Sequence, residues 1–289
     1  MTMHVFLAGG TGVLGRRIVP LLVAGGHTVT ATTRDEAKAA LLWDLGAVPV
    51  QVDVYDAAAL RAAVRESGAD VVMHQLTDLS GGDFAANSRL REIGTRNLVD
   101  AARAAGVRRI VAQSIAWVYE PGDDPAAEET PLDVHAPEAR RPMVEAVASL
   151  ESAVRELPAW VVLRYGMFYG PGTWFEPRGL RAEQARSGAL VADADVTSFV
   201  HVDDAAAAAV QALEWPSGPV NVCDDEPAPA HDWLPAFCRA VGAPAPPEDD
   251  APRNGFARGA DNRYARKRLG WTPEYVSWRD GFAAYGISR

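Results

Sequence analysis

The stretch AGGTGVLG, residues 8–15, stands between two apolar segments of different period. The segment before it, HVFLA at 4–8, is short and apolar, which is typical of a buried strand. After it, apolar residues recur at helical spacing until the glycine pair at 25–26 ends the pattern. The sequence therefore predicts a strand, a tight turn and a helix in immediate succession.

Three glycines spaced three apart, Gly9, Gly12 and Gly15, fall at this junction. Gly9 permits a tight turn, Gly12 lets the backbone approach a pyrophosphate, and Gly15 lets helix and sheet pack closely. The N–H groups at the start of the helix favour phosphate charge, so we predict a dinucleotide site, the alternative being a purely structural turn. The predicted site also takes in the rest of the turn, Thr11, Val13 and Leu14.

The alternation of strand-like and helix-like segments continues along the chain. We predict strands at 27–33, 48–53, 70–76, 108–114 and 159–166, and helices at 36–46, 56–67, 85–105 and around 141–151. Parallel strands joined through helices cross over right-handed, which places these strands in one sheet with helices on both faces. The expected fold class is α/β, a Rossmann-type doubly wound parallel sheet.

Beyond residue 166 the alternation loosens, and proline and glycine become frequent. Shorter apolar runs remain, such as SFVHV at 198–202 and PVNVCD at 219–224. We therefore expect a dinucleotide-binding domain over residues 1–166 and a smaller C-terminal substrate lobe over 167–289, partly interleaved with the sheet edge.

The end of the second predicted strand bears on the choice of nicotinamide cofactor. NAD sites usually place a carboxylate there for the ribose hydroxyls, whereas this strand ends with Thr32, Thr33 and Arg34. Arg34 can hold a 2′-phosphate as a charge-assisted pair, together with the threonine hydroxyls. We expect NADPH. The alternative is NADH, and in that case Arg34 is only a solvated residue at a helix start.

The ends of the third and fourth strands complete the expected cofactor site. Asp53 can accept a hydrogen bond from the adenine amino group, or it can help to cap the next helix. Val54 and Leu76 are the neighbouring apolar residues that we assign to the same site.

Composition disfavours several classes of function. A formal net charge of −10 argues against nucleic acid, whose recognition needs clustered Lys and Arg. Apolar runs stay far below the ~20 residues that cross a bilayer, and no signal-peptide pattern is present, so we expect a cytoplasmic protein without a membrane partner. Cys223 and Cys238 lack metal or disulfide spacing, so no metal site is predicted. We expect a monomer or homodimer that acts on a small molecule.

Six segments resemble the extended branch of the short-chain dehydrogenase/reductase superfamily, the epimerase/dehydratase-like proteins, in the order of that family. They are AGGTGVLG (8–15), VDVYD (52–56), GTRNLVDAARAAGVRRIVAQS (94–114), LRYGMFYGPGTW (163–174), SFVHVDDAA (198–206) and RKRLGWTPEY (266–275). Together they span nearly the whole chain. The resemblance implies a Rossmann-type domain with a C-terminal substrate lobe.

The resemblance also implies a catalytic Tyr-x-x-x-Lys pair, in which the Tyr protonates a carbonyl oxygen as hydride arrives and the Lys lowers the pKa of the Tyr. Aligned on the glutamate that often follows the pair, Met143 stands at the Tyr position and Val147 at the Lys position. The chain has only two lysines, Lys38 and Lys267, and an arginine stands four residues before each. The pair is therefore absent from the whole sequence.

The serine that usually assists the pair is displaced as well. Ile115 stands at its position and Ser114 precedes it, either as a substrate hydrogen-bond donor or as a buried serine bonded to the backbone. Tyr165, after the sixth strand, could contact the nicotinamide or act as a substitute donor. We expect His201 to be structural rather than a general acid, and Asp204 to stabilise a helix start through its charge.

A substrate can supply the missing acid itself. A phenol beside a ketone stabilises the developing alkoxide through an internal hydrogen bond, and proximity and orientation then carry most of the remaining catalysis. In this respect the chain resembles the tyrosine-less ketoreductases of aromatic polyketide tailoring, of the angucyclinone kind found in simocyclinone biosynthesis. The expected function is NADPH-dependent reduction of an aromatic or polycyclic ketone. The alternatives are a non-catalytic NADP(H)-binding redox sensor and a sugar-nucleotide epimerase or dehydratase.

Side chains that suit a flat apolar guest fall on segments that, by the resemblance, surround the nicotinamide and the substrate. Ordinary core packing is the alternative for about half of them. The predicted substrate residues are Ile115, Trp117, Tyr119, Met143, Met167, Tyr169 and Trp174.

Overall fold

A computed structural model of the chain describes residues 2–79 and 83–285. The strands are β1 (His4–Ala8), β2 (Thr28–Thr33), β3 (Val48–Gln51), β4 (Val71–His74), β5 (Arg109–Ile115), β6 (Ala159–Tyr165), β7 (Met167–Tyr169), β8 (Val196–Thr197), β9 (Phe199–His201), β10 (Gly218–Val222) and β11 (Ala228–Pro229). Within the described residues, seven of them form one sheet in the order β10-β6-β5-β4-β1-β2-β3. Two small sheets pair β11 with β8 and β7 with β9.

Helices connect these strands. They are α1 (Gly15–Ala24), α2 (Ala39–Asp44), α3 (Ala57–Ser67), α4 (Phe84–Arg89), α5 (Thr95–Ala104), α6 (Arg141–Val154), α7 (Leu180–Arg186), α8 (Val202–Gln211), α9 (Ala230–Ala240), α10 (Arg263–Lys267) and α11 (Trp278–Tyr285). A 3₁₀ turn, Glu36–Lys38, precedes α2, and a π-helical turn, Leu90–Gly94, joins α4 to α5. The predicted single helices at 36–46 and 85–105 are therefore interrupted, because apolar spacing does not distinguish these tighter or wider turns.

The order of the main sheet creates a ligand crevice. β1 pairs in parallel with both β2 and β4, β2 with β3, and β4 with β5. The chain builds one side of the sheet from β1 to β3 and then returns to the other side of β1 with β4. Ligands of doubly wound folds bind at such a reversal, outside the carboxyl ends of the strands. The predicted fold class is confirmed.

Local sequence explains the elements that flank this crevice. Val5, Phe6 and Leu7 of β1 are fully buried because the parallel sheet is covered on both faces. α3 begins where the Asp56 carboxylate accepts hydrogen bonds from the N–H groups of residues 58 and 59, and it ends at Gly68, whose φ of 63° suits glycine.

The chain divides into two compact units, each discontinuous in sequence. The first comprises Met1–Ser114, Val134–Leu163 and Ala206–Pro219, and the second comprises Ile115–Asp133, Arg164–Ala205 and Val220–Arg289. Segment 206–219, which follows the boundary predicted after residue 166, belongs to the first unit. The predicted C-terminal substrate lobe, partly interleaved with the sheet edge, stays a prediction.

Each unit has its own apolar core. In the first unit, aliphatic residues of β1, β4 and β5 pack with those of α3 and α5. In the second unit, the core is rich in aromatic residues and includes Phe175, Phe199, Phe237, Trp278 and Phe282. Cys223 and Cys238 are buried free thiols.

Two features are absent from residues 2–79 and 83–285. No helix in these ranges is long and apolar enough to cross a membrane. In the same ranges, no three His, Cys, Asp or Glu side chains are grouped so that they could hold a metal ion.

Candidate cofactor and active site

The three glycines of the first turn have different surroundings in the first unit. Gly9 has φ 98°, and a Cβ there would lie 2.6 Å from the carbonyl oxygen of Gln75. A Cβ on Gly15 would lie 2.2 Å from the carbonyl oxygen of Gly9. Gly12 is exposed, and the nearest atom to its Cβ would be 3.3 Å away. The fold therefore requires glycine at positions 9 and 15, whereas position 12 is less constrained, and the approach of a pyrophosphate to Gly12 stays a prediction.

The start of α1 is suited to phosphate. Leu14 occupies the N-cap position, and no side chain caps the helix. The first N–H groups of a helix and its dipole together attract anions. The side-chain Oε1 and Nε2 of Gln75, at the carboxyl end of β4, are buried and lack hydrogen-bond partners among the described residues. These unsatisfied polar groups beside the glycine turn fit a bound dinucleotide.

The two threonines that end β2 stabilise the turns of the first unit. The Thr32 hydroxyl accepts a hydrogen bond from the N–H of Gly9 at 3.1 Å. The buried Thr33 hydroxyl donates to the carbonyl oxygen of Asp35 at 3.0 Å and accepts from its N–H at 3.1 Å. Both hydroxyls therefore have partners within the fold. Their predicted contact with a 2′-phosphate stays a prediction.

Arg34 differs from these threonines because its side chain is 63% exposed. Its Nη1 lies 3.8 Å from a carboxylate oxygen of Asp78. An exposed ion pair of this length contributes little free energy. Arg34 can therefore turn towards a phosphate at small cost.

The remaining predicted cofactor residues lie close to strand ends. Asp53 is exposed, and its Oδ1 accepts a hydrogen bond from the N–H of Tyr55 at 2.9 Å. Asp56, rather than Asp53, caps α3. The carbonyl oxygen of buried Val54 accepts a hydrogen bond from the Asn97 side chain at 2.9 Å, a contact that sequence reasoning did not identify. Half-buried Leu76 follows β4.

His74 was not singled out from the sequence, although it ends β4 at the crevice. Its ring is fully buried, and its Nε2 lies 2.8 Å from the Thr95 hydroxyl. Its Nδ1 accepts a hydrogen bond from the N–H of Leu76 at 3.3 Å. Burial lowers the pKa of His74 to about 4, so the imidazole is neutral near pH 7.

Ser114 forms a buried pair with a residue of α6. Its hydroxyl donates to Oε1 of Glu151 at 2.9 Å, and each residue is 1% exposed. The other carboxylate oxygen of Glu151 lies 3.4 Å from the Arg155 guanidinium. Sequence reasoning used this glutamate only for alignment, because the spacing of 37 residues gives no local signal of the contact.

The two positions of the missing catalytic pair lie one turn apart on α6. Met143 is half-buried, and Val147 is fully buried. Val144, Val147 and Leu150 form the apolar face that holds α6 against the first unit. The resemblance predicts that this thioether and this isopropyl group stand where a phenol and an ammonium are usual, and that alignment stays a prediction.

In the second unit, Tyr165 and Tyr119 direct their hydroxyls to protein groups. The Tyr165 hydroxyl donates to the carbonyl oxygen of Ala205 at 3.1 Å, and burial raises its pKa far above the usual range. The buried Tyr119 hydroxyl accepts a hydrogen bond from Arg164 at 3.1 Å and contacts the Asn221 side chain. These contacts satisfy both hydroxyls within the fold, and the catalytic role predicted for Tyr165 stays a prediction.

Tyr169 and His201 belong to the aromatic core of the second unit. Tyr169 packs edge-on against Phe282 with ring centroids 5.4 Å apart. The His201 ring stacks on Tyr275 at 3.7 Å, and its Nδ1 accepts a hydrogen bond from the N–H of Asp203 at 3.3 Å. These contacts suit the structural role expected for His201.

Asp204 lies at the start of α8, as expected, but its carboxylate serves another segment. Its two oxygens accept hydrogen bonds from the N–H groups of Glu274 and Tyr275 at 2.7 and 3.0 Å. Burial raises the pKa of Asp204. The interaction joins α8 to residues 274–275, which sequence spacing could not indicate.

The predicted substrate residues differ in exposure. Ile115, Tyr119 and Tyr169 are buried, whereas Trp117, Met143, Met167 and Trp174 are half-buried. Met167 and Trp174 also pack against the aromatic core of the second unit. The half-buried side chains keep surface for a ligand, and their contacts with substrate stay predictions.

Comparison with known proteins assigns the class. Residues 9–214 match the NAD(P)H-binding family. This match begins at the glycine turn and covers more than half of the chain. The chain belongs to this family, within the extended short-chain dehydrogenase/reductase superfamily, and is an NAD(P)H-dependent oxidoreductase.

Two curated relatives and one solved structure are similar to the chain over most of its length. The chain is similar to a 3-diazoavenalumate denitrifying reductase from a Streptomyces species, with 45% identity over 96% of this chain and 99% of the relative. It is 31% identical to the 2-alkyl-3-oxoalkanoate reductase of Stenotrophomonas maltophilia, over 84% of this chain and 77% of the relative. Among solved structures, the UDP-glucose 4-epimerase of Thermus thermophilus in complex with NAD has a TM-score of 0.77 and 26% identity, over 99% and 98% of the two chains.

Proposed function

We propose that this oxidoreductase reduces an aromatic diazo compound with release of dinitrogen. The observation that carries the proposal is the apolar pair Met143 and Val147 at the positions of the usual acid and its ammonium partner. The 45% identity to a denitrifying reductase, over nearly the full length of both chains, supports the same chemistry.

Such a reaction does not need a proton donor from the protein. Bound NAD(P)H supplies a hydride. In its diazonium form the substrate gains this hydride at the ring carbon, while the C–N bond breaks and its electron pair leaves with nitrogen: Ar–N₂⁺ + H⁻ gives Ar–H + N₂. No oxygen acquires negative charge. The ~10²–10⁴-fold contribution of a general acid is therefore not required.

The missing residues would also be liabilities. Aromatic diazonium ions couple with phenolates and amines, so a Tyr of lowered pKa beside a Lys would be modified by the substrate. Met143 and Val147 offer neither group. Tyr165 remains a phenol because burial raises its pKa far above the usual range, and the chain contains only two lysines. The apolar pair thus suits an electrophilic guest.

The residues of the first unit bind and orient the reactants. Gly12 and the uncapped start of α1 admit the pyrophosphate, and Gln75 offers its unsatisfied amide beside it. Met143 presents an apolar surface to the ring. The Ser114 hydroxyl donates its hydrogen bond to Glu151, so it is not positioned to donate to the substrate.

A second candidate is reduction of an aromatic or polycyclic ketone of the angucyclinone type. It is favoured by the similarity to a reductase of 2-alkyl-3-oxoalkanoates. Here the alkoxide would take its hydrogen bond from a phenol of the substrate itself, since Met143 cannot donate one. Sugar-nucleotide chemistry is less suited to this site, because oxidising a sugar alcohol needs a base and a sugar offers no phenol.

The test supplies NADPH deuterated at C4 and the diazonium ion made from 3-amino-4-hydroxybenzoate. We expect protein-dependent loss of NADPH absorbance, and 4-hydroxybenzoate that carries deuterium at C3. Reactions without protein measure direct reduction by the cofactor. Phenolic polycyclic ketones and UDP-glucose are run in parallel.

Each outcome separates the candidates. Turnover of ketones without turnover of the diazonium ion would replace the proposal by the second candidate. Turnover of UDP-glucose, or cofactor binding without any reduction, would contradict both candidates.

We further propose a preference for NADPH, set by Arg34. Replacing Arg34 with Ala removes the cation that would pair with the 2′-phosphate, so we expect the Kd for NADPH to rise about 10-fold or more and the Kd for NADH to stay unchanged. Arg65→Ala, which removes another exposed arginine of the first unit, is the matched control. Equal weakening of both cofactors, measured by fluorescence titration, would refute this role.

A further inference from the structure

Arg91 is a buried charged side chain whose role is not explained by the fold. It lies in the π-helical turn Leu90–Gly94 of the first unit and is 8% exposed. Among the described residues, no carboxylate pairs with it and no hydrogen bond to its side chain is formed. Isolated buried charges are costly and are usually retained with a partner.

The surroundings of Arg91 do not neutralise it. Burial lowers the pKa of its guanidinium to about 10, which still leaves a cation near pH 7. A guanidinium presents a fork of N–H donors that matches a carboxylate or a phenolate oxygen. Arg91 is therefore a buried cation that has no anionic partner among the described residues.

The position of Arg91 connects it with the active site of the first unit. The π-helical turn packs against α6, the helix that carries Met143 and Val147. The charge of Arg91 also lowers the pKa of His74, the residue that ends β4 at the crevice. Gln75, the next residue, contacts the glycine turn. Single-turn π-helical segments occur frequently at functional sites.

We propose that Arg91 binds an anionic oxygen of the substrate, a carboxylate or an ionised phenol, and so orients the ring for hydride transfer. The proposal rests on the proposed reduction of an aromatic compound, and it applies to the diazo and the ketone candidates alike. The net charge of −10 supports the proposal, because an acidic protein needs a local cation to bind an anionic substrate.

Binding is measured separately from turnover, by calorimetry on the NADP⁺-loaded protein. The probes are 4-hydroxybenzoate, its methyl ester, which lacks the carboxylate, and 4-methoxybenzoate, which lacks the phenol. We expect Arg91→Met to weaken 4-hydroxybenzoate about 10-fold or more, and Arg91→Lys to weaken it less. Arg89→Met, which removes an exposed arginine two residues earlier, is the matched control and should bind like the parent.

The two neutralised probes identify the anion. If the carboxylate is the partner, the parent and Arg91→Met bind the methyl ester with equal affinity. The parent then still binds 4-methoxybenzoate more tightly than Arg91→Met does. The reverse pattern assigns the phenol. No anion binding by the parent, or equal binding of every probe by parent and Arg91→Met, would overturn the proposal whatever the diazonium assay shows.

Thermal unfolding separates binding from a structural role. An unpartnered buried cation destabilises the fold, so Arg91→Met should keep or raise the Tm of the parent in the absence of ligand. A structural guanidinium would instead give a lower Tm and weaken all three probes alike, which would contradict the proposal.

Discussion

Ser114 shows how a polar residue predicted to lie at the site can already have a hydrogen-bond partner within the fold. Its hydroxyl donates to Glu151 at 2.9 Å, and both side chains are almost fully buried. A donor that already satisfies a buried carboxylate gains little by turning to a substrate, because the carboxylate would then lose a hydrogen bond. The pair therefore connects β5 to α6.

Ser114→Ala tests this interpretation. Removing the hydroxyl leaves an oxygen of Glu151 without its donor, at a cost of about 1–3 kcal/mol, so the Tm should fall by several degrees. Turnover per folded molecule should fall less than about 10-fold, well short of the loss of a general acid. Ser149→Ala, an exposed change on the same helix, is the control. A loss of about 10²-fold or more in kcat at unchanged Tm would make Ser114 the acid.

At the scale of elements, the turn between β1 and α1 joins two requirements. Gly15 allows the helix to approach the turn, since a Cβ there would lie 2.2 Å from a backbone oxygen. Gly12 is exposed and not constrained in this way. Gly15 therefore serves the fold, whereas the role predicted for Gly12 is in binding the pyrophosphate.

Two alanine substitutions separate these roles. Gly15→Ala forces the backbone of the turn to shift, so we expect a marked fall in Tm or loss of soluble protein. Gly12→Ala needs an adjustment of only a few tenths of an ångström and should keep a Tm near that of the parent, while its methyl group obstructs the pyrophosphate and raises the Kd for NADPH about 10-fold or more. Equal effects of the two variants on Tm and on Kd would contradict this division.

For the whole molecule, the buried His74 couples stability to pH. The pKa of histidine in an unfolded chain is about 6.5, whereas burial lowers that of His74 to about 4. Between these values the unfolded state takes up a proton that the folded state refuses. The contribution to the free energy of unfolding is therefore fully present above pH 6.5 and is lost as the pH falls to about 4, by up to about 3 kcal/mol.

Denaturant unfolding of the parent and of His74→Gln from pH 4 to pH 7 measures this coupling. We expect the free energy of unfolding of the parent to decrease more steeply towards low pH than that of the variant. His135→Gln, which removes an exposed histidine, is the control. Parallel curves for the parent and His74→Gln would show that His74 takes up its proton equally in both states.

The sequence by itself determined the alternation of strands and helices up to residue 166, the glycine turn with its cofactor, and the absence of a Tyr-x-x-x-Lys pair. The first two follow from periodicity and from glycine spacing, which are local properties, and the third is a matter of covalent identity. The β1–α1–β2 unit was accordingly predicted within a residue or two of its observed bounds.

Only the tertiary structure decided what each polar group bonds to. Ser114 meets Glu151 from 37 residues away, Tyr165 meets the carbonyl of Ala205 from 40 residues away, and Arg91 is buried where no described carboxylate reaches it. Periodicity shows which face of an element is buried, but it carries no information about the distant segment that packs there. The partner across the interior exists only once the elements are assembled.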